Sequence, residues 1–482
     1  MKLWLPLFWK NDELVHCSTE FGLTRDGVPV EYLLVDWAIA HSHWEDSMKK
    51  IMTGVIGGFA LALMAGTAMA EDTTLTIATV NNGDMIRMQK YTDDFTAANP
   101  GIKLNWVTLE ENDLRQKVTK DISTKGGQYD VLTIGMYETP IWGKKGWLVP
   151  LAGIDDPKDI LPAVAGGLSV DGKLFAAPFY GESSFVMYRK DLMAKAGLKM
   201  SDKPTWDEII TAAGKMTDRA AGVNGICLRG KAGWGENMAF IGSMANSFGA
   251  RWFDEKWHPQ FDTQEWKDTL NTYLKVMKDS GPAGASGNGF SENLALFQTG
   301  KCGMWADATA AASFTIDSKA SKVADQVGFT IAPDKGLGKR ANWLWAWALA
   351  IPAGSTKVDA AQKFIGWATS KHYGDLIAAK EGWANVPPGT RTSLYANPEY
   401  QKVPFAAMTL ASMQAADPLH PTVKPVPYVG VQFASIPEFA GIGTKVGELF
   451  SAALAGQMSA DDALKQAQDY TTAEMTKAGY IK

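Results

Sequence analysis

Residues 75–80 read Leu-Thr-Ile-Ala-Thr-Val, a short β-branched run that predicts a buried strand. Asn81-Asn82-Gly83-Asp84 breaks it, and a helix is predicted onward through Phe95, with Met88, Tyr91 and Phe95 at helical spacing. Asn99-Pro100-Gly101 stops that helix. Ile102, Leu104 and Trp106 alternate as a second strand that closes at Glu110-Glu111. Leu114, Val118 and Ile122 recur every four residues and give the next helix one apolar stripe. Gly126-Gly127 then lead into a third strand over 130–134. This β-α-β-α-β order predicts the α/β class, with a parallel sheet carrying helices on both faces. Ligands of such sheets sit beyond the carboxyl ends of the strands, which puts Asn82, Asp84, Glu110, Glu111 and Tyr137 on one rim.

Further along, Pro204-Thr205-Trp206-Asp207-Glu208 has the spacing of a capping box, Thr205 and Glu208 each closing the other's backbone amide. A Gly-rich loop over 280–289 precedes a short helix opened by Ser291 and ended at Gly300. Trp343, Trp345 and Trp347 alternate along one strand and so face one side. The C-terminal helix starts near Ser459 and runs towards Lys477. Gly441-Ile442-Gly443 with Gly447 faintly resembles a dinucleotide loop, but Pro437-Glu438-Phe439-Ala440 is no convincing strand, and the segment reads as a turn.

A chain of 482 residues, 46% hydrophobic and 21% charged, suits two lobes with a core each. Its formal charge of -5 and the lack of a basic block give no attraction to nucleic acid or an anionic membrane. At Met48, Lys49-Lys50 and an apolar stretch over 51–64 lead to Ala68-Met69-Ala70, the pattern of a signal peptide cleaved before Glu71. The run is short and Gly-rich for a membrane span, and no Cys stands at the cleavage point to take a lipid. Residues 1–47, with Cys17, His41 and His43, do not fit ahead of a signal peptide and are expected to be an upstream extension that is not translated. The exported product would be 71–482, and Cys227 and Cys302 within it are either a disulfide or two buried thiols.

In this order the chain resembles the extracellular solute-binding proteins of carbohydrate ABC importers, the group that includes maltose-binding protein. The likeness rests on the N-terminal unit with Tyr129-Asp130-Val131, on Ala177-Pro178-Phe179-Tyr180-Gly181-Glu182 leading to Tyr188-Arg189-Lys190-Asp191-Leu192, on Pro204–Glu208, and on Phe297-Gln298-Thr299-Gly300-Lys301 with Met304 and Trp305. Within the group it is most similar to the sorbitol/mannitol-binding branch. The segments that carry this are 78–85, Gly233-Trp234-Gly235-Glu236-Asn237 and Asn342-Trp343-Leu344-Trp345-Ala346-Trp347. The resemblance implies two α/β lobes joined by crossover hinge strands, the first over 71–180 plus 340–385 and the second over 181–339 plus 386–482. It also implies a periplasmic, monomeric receptor that closes on a sugar alcohol and hands it to a membrane permease, with no cofactor and no metal.

A polyol offers hydroxyls and C–H faces but no charge, so its receptor needs fixed carboxylates, amides and aromatic walls. Each charge-assisted hydrogen bond contributes about 1.5–3 kcal/mol. Glu182 follows the crossover segment and is the first candidate, with Tyr180 on the same side of the chain. Asn82 and Asp84 are either ligand contacts or turn caps, and one of Glu110 and Glu111 is expected to meet the ligand. Tyr137 follows the third strand. Trp234 and Asn237 stand in a Gly-rich loop, and Asp307 at a strand-to-helix transition, where it either meets ligand or caps the helix. One or two of the three alternating tryptophans should reach the ligand. Arg391 either forks onto two hydroxyls or bridges the lobes.

The motifs H-E-x-x-H, G-x-S-x-G and G-x-x-x-x-G-K-[ST] are absent, and His258, His372 and His420 lie far apart in sequence. Two other readings stay open. One is a receptor for a cyclic sugar or oligosaccharide. The other is a secreted glycoside hydrolase with two carboxylates about 5–5.5 or 6.5–9.5 Å apart.

Overall fold

The computed structural model describes residues 72–482. The extension expected over 1–47, the signal peptide over 48–70 and Cys17 lie outside the described residues. Nine strands build two sheets: β1 Thr73–Val80, β2 Ile102–Leu109, β3 Val131–Ile134, β4 Ala176–Glu182, β5 Ser184–Arg189, β6 Asn224–Cys227, β7 Cys302–Ala308, β8 Val327–Ile331 and β9 Trp345–Ala350. The first lobe holds the five-stranded sheet β2-β1-β3-β9-β4, and the second the four-stranded sheet β8-β5-β7-β6.

In the first lobe β1 runs parallel to β2 and β3, as the β-α-β-α-β pattern predicts. The sheet is not wholly parallel, because β9 joins antiparallel to β3 and β4 when the chain returns from the second lobe. β1 and β2 pair over their whole length, Thr73 with Ile102 and Val80 with Leu109, so Asn82 and Glu110 emerge together at one rim. β9 reads Trp-Ala-Trp-Ala-Leu-Ala and is buried throughout. A strand covered on both faces of its sheet needs no polar face. Only Ser183 separates β4 from β5, so the crossover between lobes is nearly direct.

Two helical expectations change. The first helix is broken into Gly83–Lys90 and Thr92–Ala98 at Tyr91. There Thr92 Oγ1 donates to the Gln89 carbonyl at 3.0 Å, and a side chain that takes a backbone acceptor competes with the helix. The supposed turn at Gly441-Ile442-Gly443 lies inside the helix Phe439–Leu454. Its glycines answer to packing: a Cβ at Gly443 would stand 2.8 Å from Trp234 Cβ, and one at Gly447 2.6 Å from Asn237 Oδ1.

Elsewhere local signals decide. The Thr205–Glu208 capping box opens the helix Trp206–Met216. Ser459 accepts the Asp462 amide at 3.0 Å and opens Ala460–Lys477. Cys227 and Cys302 are joined by a disulfide, Cα to Cα 6.0 Å, between the neighbouring strands β6 and β7. Among the described residues no helix is long and apolar enough to cross a membrane.

Candidate functional site

Where the carboxyl ends of β1 and β2 face the second lobe, a cavity opens between the lobes. Asn82, Glu110, Glu111, Tyr180, Glu182, Trp234, Trp343 and Trp345 all line it, and Trp347 joins them. Asn82 caps the helix Gly83–Lys90 through Oδ1 and donates through Nδ2 to the Tyr180 hydroxyl at 2.8 Å. Its cap and its place on the wall are thus one arrangement. Glu110 accepts from Asn81 at 2.7 Å and keeps an exposed face, whereas Glu111 accepts from Arg115 Nε at 3.0 Å and Nη2 at 2.8 Å. Both glutamates reach the cavity.

Arg115 organises the first-lobe wall. Its other nitrogen donates to Glu138, and its guanidinium carbon lies over the Trp234 ring, 3.9 Å from the centroid. Trp345 and Trp347 approach the same cation at 5.1 and 4.8 Å. The rings stand steeply to one another, Trp234 to Trp345 at 73° and Trp345 to Trp347 at 82°, so they meet the one cation from different sides.

Arg229 organises the second-lobe wall. It donates to Asp307 through Nε at 2.9 Å and Nη2 at 2.7 Å, and to the Gly235 carbonyl at 3.0 Å. Glu236 lies 3.5 Å from the same guanidinium. Gly289 leaves room for that carboxylate, since a Cβ there would stand 2.7 Å from Glu236 Oε2. Burial raises the Glu236 carboxyl above its ordinary value, and the nearby Glu111 charge adds to the rise. Burial also pushes Glu182 up to about 8, partly opposed by Arg229. Trp343 Nε1 donates to Glu182 at 3.3 Å from just before β9, so this indole is set by the loop and not by the strand.

Four candidates take supporting positions off this wall. Asp84 is buried against Arg87 at 2.6 Å, with its carboxyl raised to about 6 by burial. Asn237 spends its amide on Gly447 O at 2.8 Å and Gly233 N at 3.2 Å, which holds the loop carrying Trp234. Asp307 caps no helix; it lies inside β7, fully buried, with its oxygens taken by Arg229, Trp305 and its neighbouring amide. Tyr137 packs on Trp234 at 4.8 Å between centroids and donates to the Ile436 carbonyl at 3.0 Å. Arg391 is elsewhere: it donates to the carbonyls of Asp155 at 2.8 Å and Thr369 at 2.7 Å and lies 3.5 Å from Asp159. That ties Arg391 to first-lobe carbonyls, away from any hydroxyl in the cavity.

Sequence reasoning missed Arg115, Arg229, Glu236, Glu292 and Gln432 on the wall. Arg115 could have been found, as it stands four residues beyond Glu111 on one helix face. Gln432 exchanges hydrogen bonds with the Leu344 backbone, a long-range contact with no local signal.

Residues 82–374 match the family profile described as bacterial extracellular solute-binding protein. The chain belongs to that family. This solute-binding protein is 56% identical over 440 residues to the mannitol-binding protein of Pseudomonas aeruginosa, across 91% of this chain and 100% of that one. It is 71% identical, with a TM-score of 0.84, to an ABC transporter solute-binding protein of Agrobacterium vitis solved with bound D-mannitol, covering 85% of this chain and 100% of that one. A maltose-bound protein of T. maritima shares the two-lobed fold at a TM-score of 0.70 and 20% identity, over 83% of this chain and 99% of that one.

Proposed function

We propose that this solute-binding protein is the polyol receptor of a bacterial ABC importer and holds a neutral hexitol of the D-mannitol type between its lobes. The observation that carries the reading is the cavity's chemistry: acceptor-rich, walled by tryptophans, with both of its arginines engaged by carboxylates. A polyol donates a hydrogen from every hydroxyl and packs C–H faces on indoles, so it fits; an anion would meet glutamates on both lobes. The likeness to two mannitol-named relatives supports the same ligand. Glu110, Glu111, Glu182, Glu236, Asn82 and Tyr180 would take hydroxyls, and Trp234, Trp345 and Trp347 would flank the carbon chain.

The rest of the reading follows from the family and the sequence. The lobes divide as 71–180 plus 340–385 and 181–339 plus 386–482, a division supported by the strands each sheet recruits. The protein is exported to the periplasm by cleavage after Ala70, acts there as a monomer, delivers its solute to a permease, and turns nothing over.

Calorimetry with D-mannitol, D-sorbitol, maltose and D-mannitol 1-phosphate tests it. The hexitols should bind, and D-mannitol at about 100 times its dissociation constant should add roughly 2.7 kcal/mol to stability. Binding of the phosphate or of maltose in preference to the hexitols, or hydrolysis of chromogenic glycosides, would overturn it.

A further inference from the structure

Beside the cavity, one residue beyond Asn82, the two lobes make a further contact. Phe314 projects from the short helix Ala312–Thr315, and its carbonyl accepts from Gln298 at 2.8 Å, which fixes it to the second lobe. Its ring enters a slot on the first-lobe helix Gly83–Lys90. A Cβ at Gly83 would stand 2.2 Å from Phe314 Cζ, and the Arg87 guanidinium covers the ring at 5.0 Å from its centroid. Gly83 and Arg87 are four apart and therefore neighbours on one helix face.

The socket is rigid. Arg87 is held by Asp84 at 2.6 Å, Glu381 at 2.7 Å and Asn385 Oδ1 at 2.9 Å, so its planar group is a fixed wall. Gly83 lies outside the left-handed region, so its backbone does not require glycine. What requires it is the ring from the other lobe. Phe314 does not line the ligand cavity. If the lobes part, the ring and its slot both lose their apolar cover to water.

We propose that Phe314, seated between Gly83 and Arg87, is a latch that sets how long the closed receptor keeps its solute. The latch stands on the reading that solute lies between the lobes. It acts without touching the ligand, by stabilising the closed arrangement alone. A contact made only after closure slows release and leaves encounter unchanged.

Stopped-flow kinetics with D-mannitol and the purified protein test this. Gly83→Ala should raise the dissociation rate about tenfold and leave association within about twofold. Phe314→Ala should do the same. Because Gly83→Ala harms only through the ring, the double variant should match Phe314→Ala rather than multiply the two effects. Gly83→Ala should melt no lower than wild type without ligand, since alanine suits a helix. Unchanged dissociation in both single variants, or effects that multiply in the double variant, would overturn the latch. Should Gly83→Ala not fold, an unchanged dissociation rate in Phe314→Ala overturns it by itself. Failure of the wild-type protein to bind D-mannitol would instead overturn the ligand reading, and the latch with it, before any substitution is made.

Discussion

Glu182, on the cavity wall, holds its carboxyl where burial works against the charge. Burial lifts its carboxyl from the ordinary 4.5 to about 8, so the folded state holds a proton that the unfolded chain releases. Its contribution to stability is therefore full below about pH 4.5 and is lost as pH rises towards about 8. Glu182→Gln removes that loss. Its ligand-free melting temperature should gain on wild type between pH 5 and pH 8, while D-mannitol affinity measured above about pH 8, where the carboxylate is ionised, falls by about 1.5–3 kcal/mol. Melting curves at both pH values beside calorimetry read the two effects. A constant melting difference across that range would show that Glu182 is already ionised in the empty cavity. The sequence pointed to this residue because an acidic group right after a crossover segment must emerge between lobes. It offered no sign of Arg229, whose partners Asp307 and Glu236 come from separate segments.

At the scale of elements, the helix Phe439–Leu454 separates propensity from packing. Three glycines weaken it as an isolated helix, yet the segment is helical and not the turn the sequence suggests. Gly441 is exposed and has nothing within 4 Å of where a Cβ would stand, whereas Gly447 lies against Asn237 and the Gly233 amide. Gly441→Ala should stabilise the protein by roughly 0.5–1 kcal/mol. Gly447→Ala should destabilise it and weaken D-mannitol binding as well, because it displaces the loop that carries Trp234. Urea melts of the two variants decide; equal shifts would mean that the contact at Gly447 yields at no cost.

For the molecule as a whole, the disulfide and the latch act on different equilibria. Cys227 and Cys302 are 75 residues apart and join strands of one sheet, so their bond restrains the unfolded chain of the second lobe. The double variant Cys227→Ser, Cys302→Ser should lose about 2–4 kcal/mol of unfolding free energy. Its D-mannitol affinity should stay unchanged, since neither cysteine lines the cavity. Denaturant unfolding with calorimetry measures both. An affinity loss would mean that the second lobe transmits strain from this bond to Arg229, two residues beyond Cys227.

What the sequence determined by itself was whatever depends on neighbours along the chain. Alternation and four-residue spacing placed β1 to β3 and their helices, the Thr205 and Ser459 caps fixed helix starts, and the strand ends put Asn82, Glu110 and Glu111 on one rim. The Trp-x-Trp-x-Trp pattern gave an aromatic wall before any partner was known. Only the tertiary structure decided what those residues face. It turned Arg391 onto backbone carbonyls of Asp155 and Thr369, buried Asp84 and Asp307 against arginines, and brought in Arg115 and Arg229 to hold the carboxylates apart. The physical reason is that a buried charge takes the nearest opposite charge in space, and that distance is set by how the two lobes meet rather than by position in the chain.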